Sequence, residues 1–177
     1  HQIPQRNLRA IQFFLAKGGR FTVATGRAHR TFAPHVHLVP INAPVVLSNG
    51  SALYDFQTDQ MLEQTFLSPT AAQDFEGLLE AFPSLGLESY HKEDIFVWNP
   101  NAITEAHMKK VGSDYEIRSV TRMPIPWTKA ILQQEHTVLL QAQAWLLERY
   151  SHLYEAIFSN QYYLEIKLLA FKQNTML

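Results

Sequence analysis

The chain has no cysteine among its 177 residues, which excludes a disulfide framework and any thiolate metal site and fits a reducing compartment. It also has no apolar run approaching the roughly 18 residues that a membrane-spanning helix requires. The opening HQIPQRNLRA has none of the apolar core of a signal peptide. Charge of one sign is missing too. With 15 basic and 16 acidic side chains there is no global field to recruit nucleic acid or an anionic membrane. What is present is a composition 46% hydrophobic, enough to bury one good core or a small core with a second domain. The expectation from these exclusions is a soluble, cytoplasmic globular protein, and charge announces no partner.

Patterning gives a succession of elements. Pro4 suits a first helical turn, and Leu8, Ile11, Phe14 and Leu15 recur at helical spacing until Gly18-Gly19. Arg20 to Ala24 reads as a short strand, broken at Thr25-Gly26 before a helix from Ala28 toward His35. Val45 to Leu47 is a second apolar strand. Ser48-Asn49-Gly50 then turns the chain back into strands over Ser51 to Phe56 and on to Phe66. Ser68 as N-cap and Pro69 at the first helical position open a helix to about Phe82. Paired strands follow at Leu85 to Tyr90 and Ile95 to Trp98, then a helix over Ala102 to Val111. Strands at Tyr115 to Val120 and Lys129 to Gln133, a helix over Thr137 to Tyr150, and strands at Tyr154 to Phe158 and Tyr162 to Ile166 complete the run. Such an order predicts an α+β sheet layered with helices.

A strand that ends in Thr25-Gly26 and enters a helix places a hydroxyl, a glycine allowing close approach and backbone N–H groups at a sheet's carboxyl edge. Those are the parts of an anion site. Arg27 adds a charged donor. The same residues also suit a plain helix cap with its turn, and the local pattern leaves both readings open.

Taken in order, IPQRNLRAIQFFLAKGGRFTVATGR, VVLSNGSALYD, the helix-and-strand stretch after them and FSNQYYLEI resemble successive landmarks of the Cof-type phosphatases of the haloacid dehalogenase-like hydrolase superfamily. The resemblance implies an α/β fold: a Rossmann-like core, incomplete in this chain, with an inserted α+β cap of the C2 type. It implies domains at 1–67 (partial core), 68–160 (cap) and 161–177 (return to core). It also implies Mg²⁺-dependent hydrolysis of small phosphorylated metabolites, such as sugar phosphates, through an aspartyl-phosphate intermediate. Thr25, Gly26 and Arg27 match the phosphate-holding motif, and Asn49 and Gly50 the turn bordering the substrate cleft.

Departures from the family pattern matter as much as the matches. No Asp-x-Asp occurs in the chain, and the acidic motif that completes the family's metal site is missing, so ligands for Mg²⁺ are expected mainly elsewhere in the protein. For the family lysine, counting from Leu164-Glu165-Ile166 lands on Gln173, and a one-residue gap makes it Lys172, the catalytic candidate. Removing a central strand would leave buried backbone groups unpaired, so these residues are expected to be a portion of a longer protein. The rival expectation is a non-catalytic relative that keeps the anion-binding turn. A weaker one is an interaction module built on the cap sheet.

Other groupings suggest less. His29, His35 and His37 lack a carboxylate pattern and diverge in direction, so they read as a polar helix end. His91 and Trp98 are conceivable ligand contacts. Trp127 reads as packing at a cap edge, and Tyr150, Tyr154, Tyr162 and Tyr163 as core or rim.

Overall fold

The structure, a computed structural model, describes residues 3–169. The chain divides into two compact units, His1–Thr65 and Phe66–Leu177, each described below in turn.

In the first unit helix α1 (Gln5–Ala16) ends where Gly18 adopts φ 81° and the Gly19 N–H donates to Phe14 O at 3.0 Å. The following segment runs beside residues 42–46. Thr25 N–H donates to Val46 O (2.9 Å) and Val46 N–H to Val23 O (3.0 Å), which gives one parallel bridge, Ala24 to Val46. The strand expected at Arg20–Ala24 is thereby reduced to a bridge. Phe21 N–H is bound by the Asn42 side chain and the Thr22 hydroxyl by Pro44 O, so a regular ladder does not form. The helix expected from Ala28 to His35 is a four-residue α2 (His29–Phe32) continuing as a 3-10 helix over Ala33–Leu38. Pro34, having no N–H, cannot extend the α-helical bonding.

Strands β1 (Val45–Leu47), β2 (Ala52–Asp55) and β3 (Gln60–Gln64) form an antiparallel sheet in that order, with Val45 opposite Tyr54 and Ala52 opposite Gln64. Phe32, Val45, Leu47, Ala52 and Tyr54 make its small core.

The second unit holds α3 (Ala71–Ala81), β4 (Gly86–His91), β5 (Asp94–Trp98), α4 (Ala102–Val111), β6 (Glu116–Ile117), β7 (Lys129–Gln133), α5 (His136–Tyr150), β8 (Tyr154–Asn160) and β9 (Tyr163–Leu168). The six strands lie in the order β6-β5-β4-β7-β9-β8, antiparallel except between β5 and β6. Strand alternation sends Leu87, Ala130, Leu132, Leu164 and Ile166 to one face, where Phe75 and Leu78 of α3 and Leu139 and Leu146 of α5 cover them. Tyr90, Val97 and Ile131 point the other way, against Met108 of α4. Asn101 caps α4, its Oδ1 accepting from the N–H groups of Ile103 and Thr104 at 3.0 Å, and Gly112 closes it at φ 68°.

Four expectations are corrected here. The chain divides between residues 65 and 66, ahead of the expected boundary after 67. Helix α3 starts at Ala71 with Thr70 in the cap position, because Ser68 Oγ and Thr70 Oγ1 bond each other (2.7 Å) in a turn that delays helical geometry. The strand expected over Tyr115–Val120 is two residues of β6, after which the chain turns into a 3-10 helix at Val120–Arg122. The return to the core expected from residue 161 does not occur at Tyr163–Leu168. That segment is β9, hydrogen-bonded between β7 and β8.

Tyr154, almost fully buried, donates its hydroxyl to Asp74 Oδ2 at 2.5 Å. Burial first, and then Asp74, push its ionisation well above the ordinary tyrosine range. Tyr90 and Tyr163 are shifted the same way, chiefly by burial. A tyrosine whose folded pKa is raised contributes stability that is intact below about pH 10 and is lost as pH rises through the folded value. Lys129, held low by burial, acts with the opposite sign, since unfolding it takes up a proton. Stability is therefore expected to fall above about pH 10, and Tyr154→Phe should flatten that fall by at most about 1.4 kcal/mol per pH unit. Urea unfolding across that pH range measures the slope, and an unchanged slope would exclude Tyr154 as a contributor.

Candidate functional site

The end of the bridge segment and the β1–β2 turn meet in the first unit. Thr25 O accepts from Asn49 N–H at 3.1 Å, and Arg27 O accepts from Ser48 N–H at 2.9 Å. Two short peptide stretches are thus laced side by side. Ser48, Asn49 and Gly50 all have positive φ (51°, 56° and 95°), the conformation that lets the chain reverse within three residues.

Gly26 lies directly against the Asn49 side chain. A Cβ at residue 26 would fall 2.7 Å from Asn49 Oδ1 and 3.1 Å from its Nδ2. The glycine is needed for this approach and not for its own φ. The atoms an added Cβ would meet are the end of the exposed Asn49 side chain, which can swing aside, so Gly26→Ala is expected to cost at most about 1 kcal/mol. If the clash is the cause, the cost should shrink in an Asn49→Ala background, which a double-mutant cycle of urea unfolding resolves.

Thr25 is half-buried, with its Oγ1 accepting from Arg27 N–H at 3.2 Å. Gly26 and Arg27 are exposed, and the Gly26 N–H meets no acceptor among the described residues. The Arg27 guanidinium reaches back to Thr31 O at 3.5 Å. Helix capping by Thr25 is not what is found: the residue before α2 is Ala28, and Thr25 closes a turn one step earlier. The structure therefore brings Thr25, Gly26, Arg27, Asn49 and Gly50 into one exposed patch. Lys172 lies outside the described residues.

No group of three histidine or acidic side chains suited to a metal occurs among the described residues. The aspartates of the first unit serve the β2–β3 hairpin: Asp55 Oδ1 accepts from Gln57 N–H (2.8 Å) and Asp59 Oδ1 from the Tyr54 hydroxyl (2.6 Å). The described residues do not fit a Mg²⁺ site. Of the histidines, His29 packs its ring on Tyr54 with centroids 4.2 Å apart.

Sequence reasoning missed two things. Asn42 ties down the segment leading to Thr25, its Oδ1 accepting from Phe21 N–H (2.7 Å) and its Nδ2 donating to Gly19 O (2.9 Å). The second unit also holds a buried polar cluster. Glu88, fully buried, accepts from the Tyr90 hydroxyl (2.8 Å) and the Gln133 side chain, and its Oε1 lies 2.8 Å from His107 Nδ1. Lys129 lies beside it, Nζ 4.5 Å from the Tyr90 ring centroid. The available signal was Glu88 alternating with Leu87 and Ser89 inside an apolar strand. Trp127 is the packing residue expected, but not at an edge. It is fully buried in the main core, edge-on to Phe75 at 5.6 Å, and does not sit at a rim.

No helix among the described residues is long and apolar enough to cross a membrane. Comparison with solved structures shows the fold. A haloacid dehalogenase-like hydrolase from Bacteroides thetaiotaomicron superposes with a TM-score of 0.78 at 15% identity, over 96% of this chain and 65% of its own. A Thermotoga maritima protein gives 0.76 at 18% identity, over 96% and 64%. A sugar phosphatase of subclass IIB in the same superfamily gives 0.72 at 12%, over 95% and 64%. The chain thus spans just under two thirds of each of these structures. A Mycoplasma pneumoniae protein provisionally named a phosphatase is 33% identical over 63 residues, 36% of this chain and 22% of that protein. These neighbours give the fold as α/β, a Rossmann-like core with a cap. The family model for haloacid dehalogenase-like hydrolases matches residues 1–169, and with that match the chain belongs to this family.

Proposed function

We propose that this chain supplies the phosphate-holding turn and the cap of a phosphatase acting on small phosphorylated metabolites such as sugar phosphates. The observation that carries the proposal is the patch at Thr25-Gly26: a hydroxyl and an exposed, unengaged amide at the end of a bridged segment, backed by Asn49. Donors fixed before a ligand arrives stabilise an oxyanion without reorganisation. Arg27 is the charged donor at the rim, and Lys172 the candidate for neutralising the transferring group. The first unit acts as part of the core and the second as the cap.

The chain's own share of the chemistry is binding and orientation. The chain has no Asp-x-Asp, and the described residues have no group of three histidine or acidic side chains suited to a metal. In this reading the aspartate nucleophile and the metal ligands belong to other parts of the full-length protein. The same observation supports a second reading, a non-catalytic relative that binds phosphorylated ligands without turnover. Assay of the full-length gene product with p-nitrophenyl phosphate, with and without Mg²⁺, separates them. Metal-dependent release of nitrophenol supports the phosphatase. Phosphate binding without hydrolysis in either condition supports the second reading, and neither binding nor hydrolysis overturns both.

A further inference from the structure

The second unit carries a cleft of about 320 Å³ between α3, the end of β5 and the 3-10 helix at Val120–Arg122. That volume is at the small end of ligand pockets. Leu79 and Val120, both buried, form an apolar floor, and half-buried Trp98 lines it with them. Glu76 and Glu80, one helical turn apart on α3, stand exposed at its edge. Asn99 fixes the mouth. Its Nδ2 donates to Pro83 O (3.0 Å) and Leu85 O (2.9 Å), so the atom it has left is an acceptor. No basic side chain lines the cleft among the described residues.

An apolar floor with an indole, two carboxylates and no cation among the residues that line it is complementary to one kind of occupant. From this geometry we propose that the cleft binds a small organic cation with an apolar body and an ammonium head. The alkyl part covers Leu79 and Val120, and the head lies between Trp98 and the carboxylates, where ring and charge attract it together. An anionic phosphate ester is repelled there, so the cleft differs from the Thr25 patch in the ligand it takes. The small, concave volume fits a metabolite rather than a protein surface.

The probe is choline, titrated into the full chain while the indole N–H resonances are followed by NMR, with Trp98→Phe identifying the Trp98 signal. Its neutral carbon isostere, 3,3-dimethylbutan-1-ol, is the control. Choline is expected to shift the Trp98 signal and to bind about tenfold more tightly than the isostere. Glu76→Gln with Glu80→Gln should remove that preference while leaving the melting curve unchanged, since both side chains are exposed. Absence of a shift, equal binding of the isostere, or a preference that survives the double substitution each overturns the proposal.

Discussion

Replacing Glu88 by alanine is expected to lower the unfolding free energy by about 3–5 kcal/mol, the largest effect of any single substitution considered. The carboxylate is fully buried and holds Tyr90, His107 and Gln133 at once. Removing it leaves the Tyr90, His107 and Gln133 groups without their shared acceptor in a space that only partly exposed His107 opens to water, so most of their desolvation cost stands uncompensated. Gln133 is already exacting, since its Oε1 has no hydrogen-bond partner among the described residues. Glu88→Gln keeps the volume but turns an amide NH₂ toward donors, so a smaller loss of about 1–3 kcal/mol is expected. For a unit of this size Glu88→Ala should lower Tm by more than about 10 °C. Thermal and urea unfolding of the two variants check this. A loss under about 1 kcal/mol for the alanine variant would mean that the cluster does not hold α4 to the sheet.

The second large effect concerns the proposed phosphate grip. In the full-length protein Thr25→Val is expected to reduce kcat about 100-fold, the scale seen when one preorganised oxyanion donor is removed. Stability should change little. The hydroxyl is half-exposed, and its structural partner is the Arg27 N–H at 3.2 Å, which water can replace. Thr25→Ser keeps the donor and should retain most of the rate. Separation of the two variants in kcat with similar Tm values is the result a purely structural threonine would not give. A Thr25→Val enzyme with unimpaired kcat would remove this residue from the phosphate site.

Much of the fold was legible because its signals are local. The helix expected over Ala102–Val111 is found there, and the structure shows Asn101 and Gly112 performing its caps. Strand β7, Lys129–Gln133, falls where patterning put it. The elements of the Thr25 turn and the Ser48-Asn49-Gly50 reversal were likewise visible, since breaks of this kind depend on residue type at fixed spacing.

What the sequence could not determine was pairing. Arg20–Ala24 has the composition of a strand, but whether it becomes one depends on having a neighbour to bond. Among the described residues Val46 gives it a single bridge. Tyr163–Leu168 reads as a strand in either unit, and only the ladder to β7 and β8 assigns it to the second. By sequence Glu88 is one charge in an apolar strand, and only the tertiary structure surrounds it with Tyr90, His107 and Gln133, residues 2, 19 and 45 positions away. The same holds for the phosphate patch. The sequence alone determined that Thr25 and Gly26 end a strand-like segment. Only the tertiary structure decided that the Asn49 side chain would rest directly on Gly26, because contact across more than twenty residues is set by packing and not by local pattern.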